Sequence, residues 1–141
     1  MRRFVLDASV ALCWYFEDQR THYSEAVFDC LARGNEGLVA PLFPYEVLNS
    51  LVVAWRQKSI SPAQLDTFLG DLKDLPLEVA MDGIGRAYTS LLRMCREHQL
   101  SSYDAAYLDL ALFEGLPLAT LDKNLRAAAR RSGIELFDPS K

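Results

Sequence analysis

Short apolar runs, separated by stretches of helical periodicity, constrain this chain more than any other feature. Residues 3–6, 38–40, 77–80, 118–120 and 134–137 read as strands, several of them set against turn formers, as in Gly37-Leu38, Gly115-Leu116-Pro117 and Gly133-Ile134. Helical patterns fill the intervals at residues 9–16, 22–31, 44–57, 84–98, 102–113 and 122–131, and a further helix opens at Ser61-Pro62. Val47, Leu48, Leu51, Val52 and Trp55 recur at helical spacing, and Leu65, Phe68, Leu69 and Leu72 form a second stripe. Pro44 and Pro62 suit the first turn of a helix. Strands divided by helices need right-handed crossovers. The expected fold is therefore α/β: three layers, α/β/α, around a central, mostly parallel sheet of about five short strands. A length of 141 residues predicts one domain over 1–141, large enough to bury a core.

Four acids sit where such a fold gathers its chemistry. Asp7 ends the run Phe4-Val5-Leu6, and Glu46 follows Pro41 and Pro44. Asp104 opens the helical pattern Ser101-Ser102-Tyr103-Asp104, and Asp122 follows Leu118-Ala119-Thr120-Leu121. In a parallel sheet, strand C-termini and helix N-termini share one edge, and ligands bind there. Each acid also has a structural reading. Asp7 and Asp122 suit helix N-caps, Asp104 stands at capping-box distance from Ser101, and Glu46 meets a helix dipole favourably. Capping does not explain why all four positions converge. Carboxylates that meet repel one another unless a cation neutralises them. A divalent ion with hard oxygen preference, Mg²⁺ with Mn²⁺ as the alternative, suits such a cluster.

Neighbouring polar residues fit the same site. Ser9 and Thr120 each stand two positions from an acid, and their hydroxyls can hold a carboxylate or a phosphate. Asn49 shares a helix face with Glu46. Asp109 rotates off the face of Asp104 and reads as a surface acid. His22 and His98 lie away from the acids, so no Ser-His-Asp or Cys-His arrangement can be assembled. Gly83-Ile84-Gly85 lacks what a phosphate loop requires.

Charge and cysteine content narrow the setting. The net charge is −4, unlike a free-standing nucleic-acid binder. Lys123, Arg126, Arg130 and Arg131 nevertheless crowd one helix, and Arg56 and Lys58 end another. A basic rim around an acidic centre would suit a phosphate backbone; solvated helix faces are the other reading. No segment is long and apolar enough to span a membrane, and Asp7 stops the first apolar run too early for a signal peptide. A cytoplasmic location is expected. Cys13, Cys30 and Cys95 are odd in number and scattered, which speaks for buried thiols rather than disulfides or zinc. The clusters Leu12-Cys13-Trp14-Tyr15-Phe16 and Val52-Val53-Ala54-Trp55 read either as core or as an interface.

With the acids placed, the chain resembles the PIN-domain family, and within it the VapC-type toxins of bacterial toxin–antitoxin pairs. The matching segments are Val5-Leu6-Asp7-Ala8-Ser9-Val10, Pro44-Tyr45-Glu46-Val47-Leu48-Asn49, Ser102-Tyr103-Asp104-Ala105-Ala106-Tyr107-Leu108 and Leu118-Ala119-Thr120-Leu121-Asp122-Lys123-Asn124-Leu125. The resemblance implies a Mg²⁺-dependent endoribonuclease that forms a homodimer and is neutralised by a cognate antitoxin, a peptide segment of which occupies the active site. It makes Asp7, Glu46, Asp104 and Asp122 the catalytic acids, with Asp7, Asp104 and Asp122 at the metal. Asp7 and Asp104 are then the direct ligands. Ser9, Asn49 and Thr120 become supporting or substrate-binding positions. The alternatives are a PIN nuclease of RNA processing or decay without an antitoxin, and an inactive PIN-like binding module. A response-regulator-like receiver fits less well, because Asp7 has no adjacent acid and residues 134–137 lead into no lysine loop. A phosphatase of the Asp-x-Asp type fails because Ser9 stands at the second acid's position.

Overall fold

The computed structural model describes residues 1–141. Its centre is β1 (Arg3–Leu6), where Phe4, Val5 and Leu6 are entirely buried. A strand covered on both faces by helices must be apolar on both faces, and this run is. β2 (Glu36–Val39) pairs parallel to β1 on one side, and β4 (Leu118–Ala119) on the other. β3 (Leu77–Val79) pairs parallel to β2. The sheet order is β3-β2-β1-β4, so all four strands point the same way. The expected fifth strand, 134–137, lies beside β4 but joins it through the single bridge Leu118–Leu136. Gly37 lets β2 and β3 meet, since a Cβ there would come within 2.7 Å of Leu77 Cδ2.

Seven α-helices cover the sheet. They are α1 (Ala8–Leu12), α2 (His22–Ala32), α3 (Phe43–Arg56), α4 (Pro62–Asp74), α5 (Leu92–His98), α6 (Ser102–Glu114) and α7 (Lys123–Arg131). Local chemistry sets most of their starts. Thr21 and Ser61 open α2 and α4 with reciprocal capping boxes, and Ser101 caps α6. Gly115, at φ 66°, ends α6 in the left-handed conformation that glycine adopts at no steric cost. No helix is long and apolar enough to cross a membrane.

Two stretches depart from the periodicity. Residues 9–16 contain only the short α1, after which Trp14 and Tyr15 turn into the core. The expected helix 84–98 is broken into a 3₁₀ segment (Met81–Arg86), a π-helical turn (Ala87–Leu91) and then α5. The cause lies on α6. Asp109 is buried there, not at the surface as its spacing from Asp104 suggested. It accepts from Arg86 Nε at 2.8 Å and from Ser90 Oγ at 2.6 Å. The Arg86 guanidinium also lies over the Phe113 ring, 3.8 Å from its centroid. Satisfying a buried carboxylate decides how this segment winds.

The three cysteines are free, two of them buried. Of the apolar clusters, Trp14 and Tyr15 belong to the core, whereas Trp55 on α3 remains 43% exposed.

Candidate active site

Because every strand runs the same way, the turns after β1 and β4 and the first turns of α3 and α6 share one edge of the sheet. Asp7 follows β1 at the N-cap position of α1, but its side chain caps nothing. Its carboxylate faces across to β4 instead. Ser9 Oγ and Thr120 Oγ1 each donate to Asp7 Oδ2, both at 2.7 Å. The two hydroxyls accept in turn from backbone, Ser9 Oγ from Leu121 N at 3.0 Å and Thr120 Oγ1 from Asp122 N at 3.1 Å. A hydroxyl carries one proton. With both protons committed to Asp7, the 3.3 Å approach of Ser9 Oγ to Thr120 Oγ1 is a contact and not a third bond. The arrangement ties the β1 and β4 turns together and leaves Asp7 Oδ1 free of both hydroxyls.

The other acids are held differently. Asp122 Oδ1 caps α7 through Leu125 N at 2.8 Å. Glu46, in the first turn of α3, accepts from Tyr107 Oη at 2.6 Å. Asp104 receives the Ser101 cap at its own N–H, 3.2 Å away, but its side chain does not complete a capping box. Capping therefore accounts for Asp122 and does not account for Asp7 or Asp104.

The electrostatics of these groups are shared. Burial raises the Asp7 carboxyl above the usual range, the Thr120 and Ser9 hydroxyls oppose this, and the charge of Asp122 adds to it. Burial also raises Glu46; the Tyr107 hydrogen bond opposes the rise, and the charges of Asp7 and Asp104 add to it. Asp104 is raised by burial and then by Asp122 and Asp7. Asp7, Glu46 and Asp104 each feel an acid far from them in sequence, and Asp122 is among the charges that act on Asp7 and Asp104. No three His, Cys, Asp or Glu side chains are drawn close enough together to grip an ion. Repulsion favours such spacing, and Tyr107 holds Glu46 aside. The donor set itself fits a divalent cation that prefers hard oxygen ligands: carboxylates only, three of them raised by burial and by their neighbours' charge, with an Asp7 oxygen bonded to neither hydroxyl.

The model of the PIN domain matches residues 4–131. The chain belongs to the PIN-domain family. This PIN domain is similar in fold to three solved structures. FitAcB from Neisseria gonorrhoeae superposes with a TM-score of 0.66 at 14% identity, over 97% of this chain and 98% of the other. VapBC2 from Rickettsia felis, bound to a DNA fragment from its promoter, gives 0.64 at 16% identity, over 96% and 97%. PAE2754 from Pyrobaculum aerophilum gives 0.58 at 21% identity, over 90% and 84%. No curated protein matches this PIN domain in sequence.

The structure places the remaining expected site residues unevenly. Ser9 and Thr120 stand at Asp7, as above. Asn49 is exposed on α3 and its side chain makes no hydrogen bond, so nothing ties it to Glu46. The expected basic rim is only partly present. Lys123 is exposed beside Asp122 at the start of α7, and Arg126 turns inward to donate to the Thr120 carbonyl at 2.7 Å. Arg130 and Arg131 end α7, and Arg56 ends α3, roughly 12–15 Å along each axis from the acidic edge. Helices that begin at the acids carry their last turns away from them.

One residue gained a role that the sequence had not assigned. Tyr107 is fully buried, and its phenol is held well above its usual range by burial and by Glu46. Its signal was the spacing from Asp104, three residues on and hence on the same helix face.

Proposed function

We propose that this PIN domain is a divalent-metal-dependent endoribonuclease, the toxin of a toxin–antitoxin pair. The observation that carries the reading is the Asp7–Ser9–Thr120 arrangement. A carboxylate raised by burial, with the charge of Asp122 adding to the rise, is kept in place by two hydroxyls, which is a costly arrangement for a binding module to maintain. Asp7 and Asp104 would hold the ion directly, and Asp122 would reach it through water or substrate. Bound Mg²⁺ or Mn²⁺ would polarise a phosphoryl oxygen and lower the pKa of water. Glu46, kept in one orientation by Tyr107, would accept a hydrogen bond from the attacking water and align it with the phosphodiester. Lys123 would meet the RNA backbone at the rim.

The fold shared with VapBC2 and FitAcB supports the toxin–antitoxin setting. Exposed apolar side chains along α3, with Tyr45 at 76% and Trp55 at 43%, support a partner-facing surface for an antitoxin or a second copy. The reading also includes a cytoplasmic homodimer and one domain over 1–141. The decisive assay incubates the purified chain with RNA in Mg²⁺, in Mn²⁺ and in EDTA, alongside Asp104→Asn. Cleavage that requires the metal and is lost in the variant is expected. Cleavage in EDTA, or an unimpaired variant, rejects the assignment.

A further inference from the structure

On the side of the molecule formed by α1, α2 and α4 lies a cavity of about 330 Å³, unrelated to the four acids. Trp14 and Tyr15 line it together with Phe28 of α2 and Phe68 of α4. The rings are fixed by each other. Trp14 meets Phe28 edge to face at 5.3 Å, and Tyr15 tilts against Phe68 at 5.0 Å. The Trp14 indole N–H is already committed to the Ser24 carbonyl at 2.8 Å. The indole therefore offers the cavity its π surface and no donor.

The polar part of the wall is acidic. Glu25 and Asp29 stand one turn apart on α2, on the same face as Phe28. Asp71 stands three residues from Phe68 on α4. Like charges at i and i+4 weaken a helix, and none of these three carboxylates enters any of the chain's ion pairs. Arg20 is the one cation on the wall, and it pairs with none of them. A second observation is independent of the acids. Tyr15 is 7% exposed, and its hydroxyl is buried without any hydrogen-bond partner. A polar atom so placed awaits a partner.

The groups open to the cavity are thus carboxylates and aromatic faces, with the unpartnered phenol oxygen of Tyr15 buried in the wall. All are complementary to a cation that donates hydrogen bonds. The carboxylates are not gathered as a metal requires. They are spread along two helices, which suits charges spread along an aliphatic chain. We propose that this cavity binds an organic polycation of the aliphatic polyamine class, its methylenes against Trp14, Phe28 and Phe68 and its ammonium groups at Glu25, Asp29 and Asp71. The same ammonium chemistry is presented by a lysine side chain of another protein, and the experiment separates the two sources.

The full-length chain carrying Trp55→Phe leaves Trp14 as the sole tryptophan and reporter. It is titrated with spermidine, and separately with N-acetyl-lysine methylamide, in low and high salt. The expected result is a saturable change in Trp14 emission with spermidine, weakened by salt, and at least about tenfold weaker binding in Asp29→Asn/Asp71→Asn. Tyr15→Phe should weaken it about threefold or more, with the melting temperature checked in each variant. Asp7→Asn/Asp104→Asn, altered at the other acidic site, should leave it unchanged. Saturation by the capped lysine at concentrations similar to spermidine would assign the cavity to a protein side chain. Saturation by spermidine alone assigns it to the free polyamine. No saturable change, or a change that survives Asp29→Asn/Asp71→Asn or disappears in Asp7→Asn/Asp104→Asn, overturns the proposal.

Discussion

The phenol of Tyr107 donates to Glu46 across 2.6 Å, joining two helices that begin 59 positions apart in the chain, Phe43 for α3 and Ser102 for α6. The bond forms although Tyr107 is entirely buried. It gives a buried hydroxyl its partner and points the Glu46 carboxylate in one direction. Tyr107→Phe keeps the ring and removes the bond. Denaturant unfolding should show a loss of about 1–3 kcal/mol. Metal-dependent RNA cleavage should fall in proportion well beyond any change in RNA affinity, since Glu46 would be misaligned rather than absent. Unaltered cleavage by a folded variant would falsify the positioning role.

Removing charge from the acidic edge should help the fold while harming the site. Asp7→Asn can still accept from Ser9 and Thr120, and Asp104→Asn removes a charge that burial and then Asp122 and Asp7 disfavour. In EDTA both variants should melt at or above the temperature of the parent. In Mg²⁺ or Mn²⁺ the parent should gain thermal stability and the variants should not. A metal-induced rise that persists in Asp104→Asn would show that the ion binds elsewhere.

The same acids set a pH dependence in the absence of metal. Asp7, Glu46 and Asp104 are raised in the folded chain above ordinary values of 3.8 for Asp and 4.5 for Glu. The folded state therefore binds these protons more tightly than the unfolded state does. The resulting stabilisation is full below the ordinary values and is lost as pH rises through the raised ones. In EDTA, the stability difference between the parent and Asp7→Asn/Asp104→Asn should widen in favour of the variant as pH climbs from the ordinary carboxylate range toward neutrality. A difference that stays flat across that range would show that burial and neighbouring charge do not raise these carboxyls in the folded chain.

Thr120 is fully buried and bonded at both ends, to Asp7 and to the Asp122 N–H. Thr120→Val is nearly isosteric and breaks both bonds. It should cost about 1–3 kcal/mol by denaturant unfolding and weaken metal binding by calorimetry. Unchanged metal affinity would mean that Asp7 needs no help from the hydroxyl.

Away from the site, Asp109 and Arg86 form the buried pair that shapes the broken segment before α5. Asp109→Leu alone should destabilise by about 3–5 kcal/mol, because it strands the guanidinium. Asp109→Leu/Arg86→Met should recover much of that loss, and a thermodynamic cycle measures it. If the double variant is no better than the single, the pair does not carry the energy assigned to it.

The sequence alone determined the alternation of strands and helices, the caps at Ser61, Ser101 and Asp122, and the four positions where acids could meet. These are local properties: a period of two or 3.6, a hydroxyl or carboxylate before a helix, an acid after an apolar run. Tertiary structure decided what those residues touch. It turned Asp7 away from capping and toward Thr120, 113 positions later, and gave Tyr107 to Glu46. It buried Asp109, whose pairing with Arg86 replaced an expected helix with 3₁₀ and π turns. It also reduced the last expected strand to one bridge and carried most of the basic residues away from the acids. Periodicity records which face of an element is apolar. A buried polar group must instead find its partner wherever the packed fold supplies one, and that requirement has no period to read.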